Sequence, residues 1–239
     1  MIEFRPLKDL KLVPPSPDRH WLVKGVLPAS VVAEVYGPPM SGKTTLCSAL
    51  AVAVNTGSKL LDATVPHRFG KVVYVTSDGY SAHAAMTGVL SGLGHSDTGD
   101  ILVVPITSEA EFGRELVREL VDKVLNQNPR PALVVDDCTI LEVAARESAD
   151  TRQVMLHELQ RLIRVGVSVL IAHTDVDWLG CQVKLYTSYD SAQNELNVYT
   201  PYPNERLVLR AAVHHGEGAV RFTAKPIPEP EAPDVSPAP

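Results

Sequence analysis

Gly37-Pro38-Pro39-Met40-Ser41-Gly42-Lys43-Thr44 has the spacing GxxxxGK[ST], at which a short loop can cradle a chain of phosphates. Gly37 and Gly42 permit a tight bend in which successive backbone N–H groups point inward, and the helix that follows adds the positive end of its dipole. Lys43 can reach the β and γ phosphates, the Thr44 hydroxyl suits Mg²⁺, and Thr45 completes the expected nucleotide contacts. A triphosphate site also needs acids. Leu133-Val134-Val135-Asp136-Asp137 is an apolar run ending in two carboxylates, and Asp136 is expected to contact Mg²⁺ directly or through water. For orienting an attacking water there are two candidates, Asp78 in the turn Ser77-Asp78-Gly79 and Asp137, with Asp78 preferred because it follows a strand directed at the same sheet edge. His173 ends another apolar run and is expected at that edge, within reach of a γ phosphate. The plainer alternatives are a glycine turn with an exposed lysine, an N-cap acid, an ordinary Asp-Gly turn and a structural histidine.

These groups converge only if the chain alternates strand and helix. Apolar spacing predicts strands at Val31–Tyr36, Lys71–Thr76, Asp100–Pro105, Ala132–Asp136 and Val167–His173. Helices are predicted at Thr44–Asn55, Ala82–Leu90, Glu109–Gln127 and Asp150–Arg164. In the third of these, Phe112, Leu116, Leu120, Val124 and Leu125 recur at helical spacing between charges. Near-continuous apolar strands separated by helices imply an α/β fold, a mostly parallel central sheet flanked by helices on both faces. From Glu195 onward β segments follow closely, at Leu196–Tyr199, Arg206–Val213 and Ala219–Ala224, and are expected as antiparallel strands extending one edge. Asp175–Gln193 fits neither period and reads as a long loop, a feature often functional in compact domains.

Composition limits the rest. With 239 residues, 45% hydrophobic and 21% charged, the chain has the make-up of one ordinary globular domain. No apolar run reaches the roughly 18 residues of a membrane span, and the first fifteen residues lack the apolar core of a secretion signal. Cys47, Cys138 and Cys181 are odd in number and far apart, which suggests neither a disulfide framework nor a zinc site. A soluble protein of a reducing cytoplasm is expected. A net charge of -6 argues against a surface coated in basic patches. Residues 226–239, PIPEPEAPDVSPAP, hold six prolines and three acids without Lys or Arg. They read as an extended tail, solvated or docking on a protein partner or in a DNA-binding groove. The expected division is an arm at 1–19, a nucleotide-binding domain at 20–225 and the tail at 226–239.

With these residues in place the chain resembles the RecA-like ATPases, and within them the RepA-type hexameric helicases of plasmids and phages. The resemblance runs from Trp21-Leu22-Val23-Lys24-Gly25-Val26-Leu27-Pro28 through Gly37 to Thr44, Val72 to Gly79, Leu133 to Asp136 and Leu170 to Thr174, and more faintly to Phe222. It implies an ATP- and Mg²⁺-dependent hydrolase, a homo-oligomeric ring expected to be a hexamer, and single-stranded DNA in the central channel. It also implies the cytoplasm of a bacterial host. Asp78 stands where that group usually has glutamate, one methylene longer. Arg210 falls where the group carries an arginine that acts on the neighbouring subunit's nucleotide, and His215 near a position where lysine is common. The alternative for Arg210 is a strand arginine paired with an acid such as Glu205 or Glu217. By the same resemblance the loop after His173 turns toward the channel and offers Trp178, Lys184, Tyr186 and Tyr189 to DNA. One cation among aromatics suits a single strand, and the alternative is that these aromatics pack on their own domain. Helicase or translocase action in replication or recombination is the first reading. A recombination nuclease or annealing factor, and a nucleotide-gated loader or regulator, are the others.

Overall fold

The computed structural model describes residues 21–60, 70–77, 79–95, 100–106, 114–137, 149–174, 181, 183–200, 206–216 and 219–227. Strands β1 (Trp21–Val23) and β2 (Leu27–Pro28) form a small antiparallel ribbon. They lead into β3 (Val32–Tyr36) and helix α1 (Lys43–Thr56). Then follow β4 (Val72–Thr76), α2 (Gly79–Gly92), β5 (Ile101–Pro105), α3 (Arg114–Leu125) and β6 (Leu133–Asp136). Helix α4 (Ala149–Arg164) precedes β7 (Ser168–His173), and the chain closes with β8 (Val183–Asp190), β9 (Glu195–Thr200), β10 (Arg206–Gly216) and β11 (Ala219–Ala224).

Nine strands make one sheet in the order β11-β10-β9-β8-β3-β7-β6-β4-β5. From β8 to β5 all pairings are parallel, and β9, β10 and β11 extend the β8 side antiparallel. The expected α/β class is therefore observed. The sheet divides the core in two. On the front, α1, α2 and the β1–β2 ribbon pack on residues such as Val35, Tyr74, Val135 and Leu170. On the back, α3 and α4 cover Val73, Val75, Val134, Val169 and Ile171. Helix α1 is buried from Leu46 through Asn55, as its nearly all-apolar sequence requires. Helices α3 and α4 are amphipathic, and Arg161 links them by donating to Asp122 at 2.7 Å. Among the described residues no helix is long and apolar enough to cross a membrane.

The expected loop at 175–193 is corrected in its second half. Val183–Asp190 is an eight-residue strand paired parallel with β3, from Ala33 opposite Val183 to Tyr36 opposite Tyr186. Its alternation is hidden because Thr187, a polar residue, occupies a fully buried front-face position between Leu185 and Tyr189. The arm at 1–19 lies outside the described residues, as do residues 228–239 of the tail.

At the other end of the front layer α2 meets the last strand. A methyl at Gly92 would lie 2.0 Å from the Val220 carbonyl oxygen, a backbone atom that cannot swing aside. Gly92→Ala should gain about 0.5–1 kcal/mol in helix propensity. The forced separation of α2 from β11 should cost about 1–3 kcal/mol, so a lower thermal midpoint is the expected outcome in a calorimetric scan.

Candidate nucleotide-binding site

Strand β3 delivers the phosphate-binding loop to the C-terminal edge of the parallel strands, the usual ligand edge of an open α/β sheet. Gly42 caps α1 in the left-handed conformation, φ 88°, with no side-chain cap bond and no acid in the first helical turn. The helix start is thereby left open to an anion. Strand β8 braces the loop from beneath. The Ser41 and Thr187 hydroxyls share a buried hydrogen bond of 2.8 Å, and Thr187 also donates to the Tyr36 carbonyl at 3.4 Å. Gly37 passes so close that a methyl there would stand 2.5 Å from the Thr187 carbonyl oxygen. The Lys43 ammonium folds over the loop and donates to the carbonyls of Gly37 at 2.9 Å and Pro38 at 2.8 Å. Met40 forms the loop's outer tip and is 93% exposed.

Of the two neighbouring acids, Asp137 is the one that bonds Thr44 at the loop, whereas Asp136 is the one expected to contact Mg²⁺. Side chains alternate along a strand. Leu133 and Val135 face the front core and Val134 the back, so Asp136 is turned to the back, while Asp137 comes forward beside α1. Asp136 is 2% exposed. Thr44 donates from its hydroxyl to Asp137 Oδ1 at 3.2 Å, and the Tyr74 hydroxyl donates to Oδ2 at 2.7 Å. Burial raises the Asp137 carboxyl to about 6, against the pull of the Tyr74 and Thr44 hydrogen bonds. Burial also pushes the Tyr74 phenol well up, so it stays a donor. A hydroxyl and a carboxylate side by side next to a helix start form an oxygen donor set that fits Mg²⁺ bound to a polyphosphate. Asp78, the other water-orienting candidate, lies outside the described residues.

Two further expectations change with the same alternation. His173 is fully buried and faces the back with Tyr36 and Glu34, not the loop. Its ring stacks on Tyr36 at 6.1 Å between centroids, with Nε2 3.8 Å from a Glu34 carboxylate oxygen. Burial pushes Glu34 up, but the pull of the neighbouring His173 and Cys181 outweighs it and holds the carboxyl below its ordinary range. Arg210 also sits on the back, where its guanidinium bonds the nearly buried Glu195, while Glu205 and Glu217 lie outside the described residues. Lys225 bonds the same carboxylate.

The expected DNA-contacting set is divided. Trp178 lies outside the described residues. Lys184 and Tyr186 are on the back of β8, where Tyr186 packs 5.4 Å from Tyr36 and 6.2 Å from Tyr199. Tyr189 is on the front, and lines a cavity of about 330 Å³ together with residues 40–45, Val213 and His215. A separate apolar hollow lies between α3 and strands β4 and β5, lined by Val75, Leu102, Val104 and Leu120, away from this chemistry. Tyr74, Thr187 and Glu195 were not anticipated as site or support residues. Only the front-face parity of Tyr74 with Val135, its β6 neighbour, carries a signal for any of them.

Fold and loop together define a P-loop NTPase. Residues 2–174 match the family model of the AAA domain, well over half of the chain, and the chain belongs to this family of P-loop AAA-type ATPases. No curated protein shows significant similarity to it. The match covers the loop, β6 and β7 and stops before β8.

Two outcomes follow. Calorimetry should find Mg²⁺-dependent nucleotide binding weakened at least about tenfold by Asp137→Asn and changed less than about threefold by Asp136→Asn. In the unaltered protein that binding should strengthen as pH rises through about 6, where Asp137 loses its proton, and Asp137→Asn should abolish the rise. For Glu195, hydrogen bonds from Arg210 and then Lys225 lower the carboxyl from 4.5 to about 2. A depressed folded-state pKa contributes stability that is present above about 4.5 and lost as pH falls toward 2. Glu195→Gln should flatten the dependence of urea midpoints on pH across that window.

Proposed function

We propose that this chain hydrolyses a Mg²⁺-bound nucleoside triphosphate by in-line attack of water on the γ phosphate, and that hydrolysis drives a ring of identical chains, a hexamer by resemblance, along or against single-stranded DNA. The observation that carries the chemical part is the Thr44–Asp137 pair standing beside the Lys43 loop. Backbone N–H groups at the start of α1 bind phosphate oxygens, and Lys43 exchanges the carbonyls of Gly37 and Pro38 for them. Thr44 and Asp137 would hold the cation, and Tyr74 fixes the Asp137 carboxylate by its hydrogen bond. When bound, Mg²⁺ supplies neutralisation of charge developing on the phosphate oxygens. Asp78 is assigned to aiming the water. Support for the DNA and ring parts is the order of motif segments that resembles the RepA-type helicases, with Lys184 and Tyr186 as the remaining described candidates for DNA contact.

A second reading, a nucleotide-gated loader or regulator, is favoured by the engagement of Arg210. Its guanidinium is already bound to Glu195 in its own chain, and a role on a neighbour's nucleotide requires it to leave. ATPase rates with and without single-stranded DNA, with mass in solution by light scattering, separate the two. The first reading expects DNA stimulation, a mass of several subunits, loss of activity in Lys43→Ala and a large loss in Arg210→Ala. An unstimulated rate that survives Arg210→Ala selects the second, and absence of hydrolysis under all conditions refutes both.

A further inference from the structure

The cavity beside the phosphate loop continues past the helix start to side chains from outside the family match. Tyr189 is on β8, and Val213 and His215 are on β10, all on the front face. Leu196 on β9 lies between these strands and seats the loop, since a methyl at Gly42 would stand 2.7 Å from its Cδ1. Resting on the reading of the loop as a triphosphate site, we propose that Tyr189 and His215 form the base-binding end of the same site and make it selective for purine nucleotides, with little preference between adenine and guanine.

Several observations carry this. The cavity, about 330 Å³, falls within the roughly 300–1,000 Å³ of small-molecule sites. One end holds the phosphate-binding backbone and the other an aromatic ring and an imidazole, matching the polar and flat apolar ends of a nucleotide. Tyr189 is held in place. Its hydroxyl donates to Asn194 Oδ1 at 3.1 Å, in a turn fixed by Asp190 Oδ1, which accepts from the N–H groups of Ala192 at 2.9 Å and Gln193 at 3.2 Å. The Asn194 carbonyl in turn accepts from Val213 N–H at 2.7 Å, which joins the turn to β10 two residues before His215. With the hydroxyl occupied by Asn194, the ring of Tyr189 offers a ligand its carbon surface. Stacking on such a surface tolerates any base and favours the larger purine ring. A neutral imidazole donates from one nitrogen and accepts at the other, so His215 can serve the 6-amino group of adenine or the 6-oxo group of guanine.

The test is titration calorimetry of the full chain with Mg²⁺ and, separately, ATP, GTP, CTP, UTP and inorganic tripolyphosphate. ATP and GTP should bind within about threefold of one another and about tenfold more tightly than the pyrimidine nucleotides or tripolyphosphate. Tyr189→Ala and His215→Ala should each weaken purine binding and leave tripolyphosphate unchanged, and Tyr189→Phe should retain most purine affinity. Tripolyphosphate binding also reports an intact fold. If Tyr189→Ala loses it, the exposed His215→Ala decides, and unchanged ATP affinity in that variant overturns the proposal. Equal binding of purines and pyrimidines, or ATP no tighter than tripolyphosphate, also overturns the base subsite while leaving the phosphate reading standing. Failure of every ligand, tripolyphosphate included, refutes the phosphate reading itself.

Discussion

Alternation of side chains along each strand is the constraint on which the arrangement of this molecule depends. In a sheet covered by helices on both faces, the parity of a residue decides which layer it joins, and neighbours in sequence can end on opposite sides. Leu133 and Val135 fix the forward face of β6, and Asp137 therefore reaches Thr44 while Asp136 does not. Leu170 and Ala172 do the same for β7 and send His173 backward. On β8 and β10, Leu185, Ala211 and Val213 bring Tyr189 and His215 to the loop and turn Tyr186 and Arg210 away.

Two carboxylates show how environment separates groups of the same chemistry. Asp137 is half-buried against a phenol and a hydroxyl, and the loss of solvation there raises it to about 6. Glu195 is 3% exposed, but two cations bond it and hold it near 2. The first is thus poised to gain a cation at the ligand edge. The second is already neutralised and ties β9, β10 and the segment after β11 together.

Much of this was legible in the sequence. The loop motif, the parallel core strands and α1 follow from local spacing, because a buried strand must be continuously apolar and the phosphate loop needs its glycines in register. Strand β8 was not legible, since Thr187 breaks the apolar pattern in order to brace Ser41, and its value appears only once β3 lies alongside. The choice between Asp136 and Asp137 turned on a single step of register that a run of apolar residues followed by two acids leaves open. The partner of Arg210 was missed because Glu195 is distant in sequence and is brought near by an antiparallel pairing in which Ala212 stands opposite it.

The grip of Lys43 on its own loop has a kinetic side. An ammonium that rests on two carbonyl oxygens is not a bare charge waiting for any passing anion, and a single-point acceptor such as chloride replaces only one of the two contacts at a time. Entry of a phosphate chain is therefore an exchange of ligands on one nitrogen, favoured for a visitor with several acceptors spaced along its length.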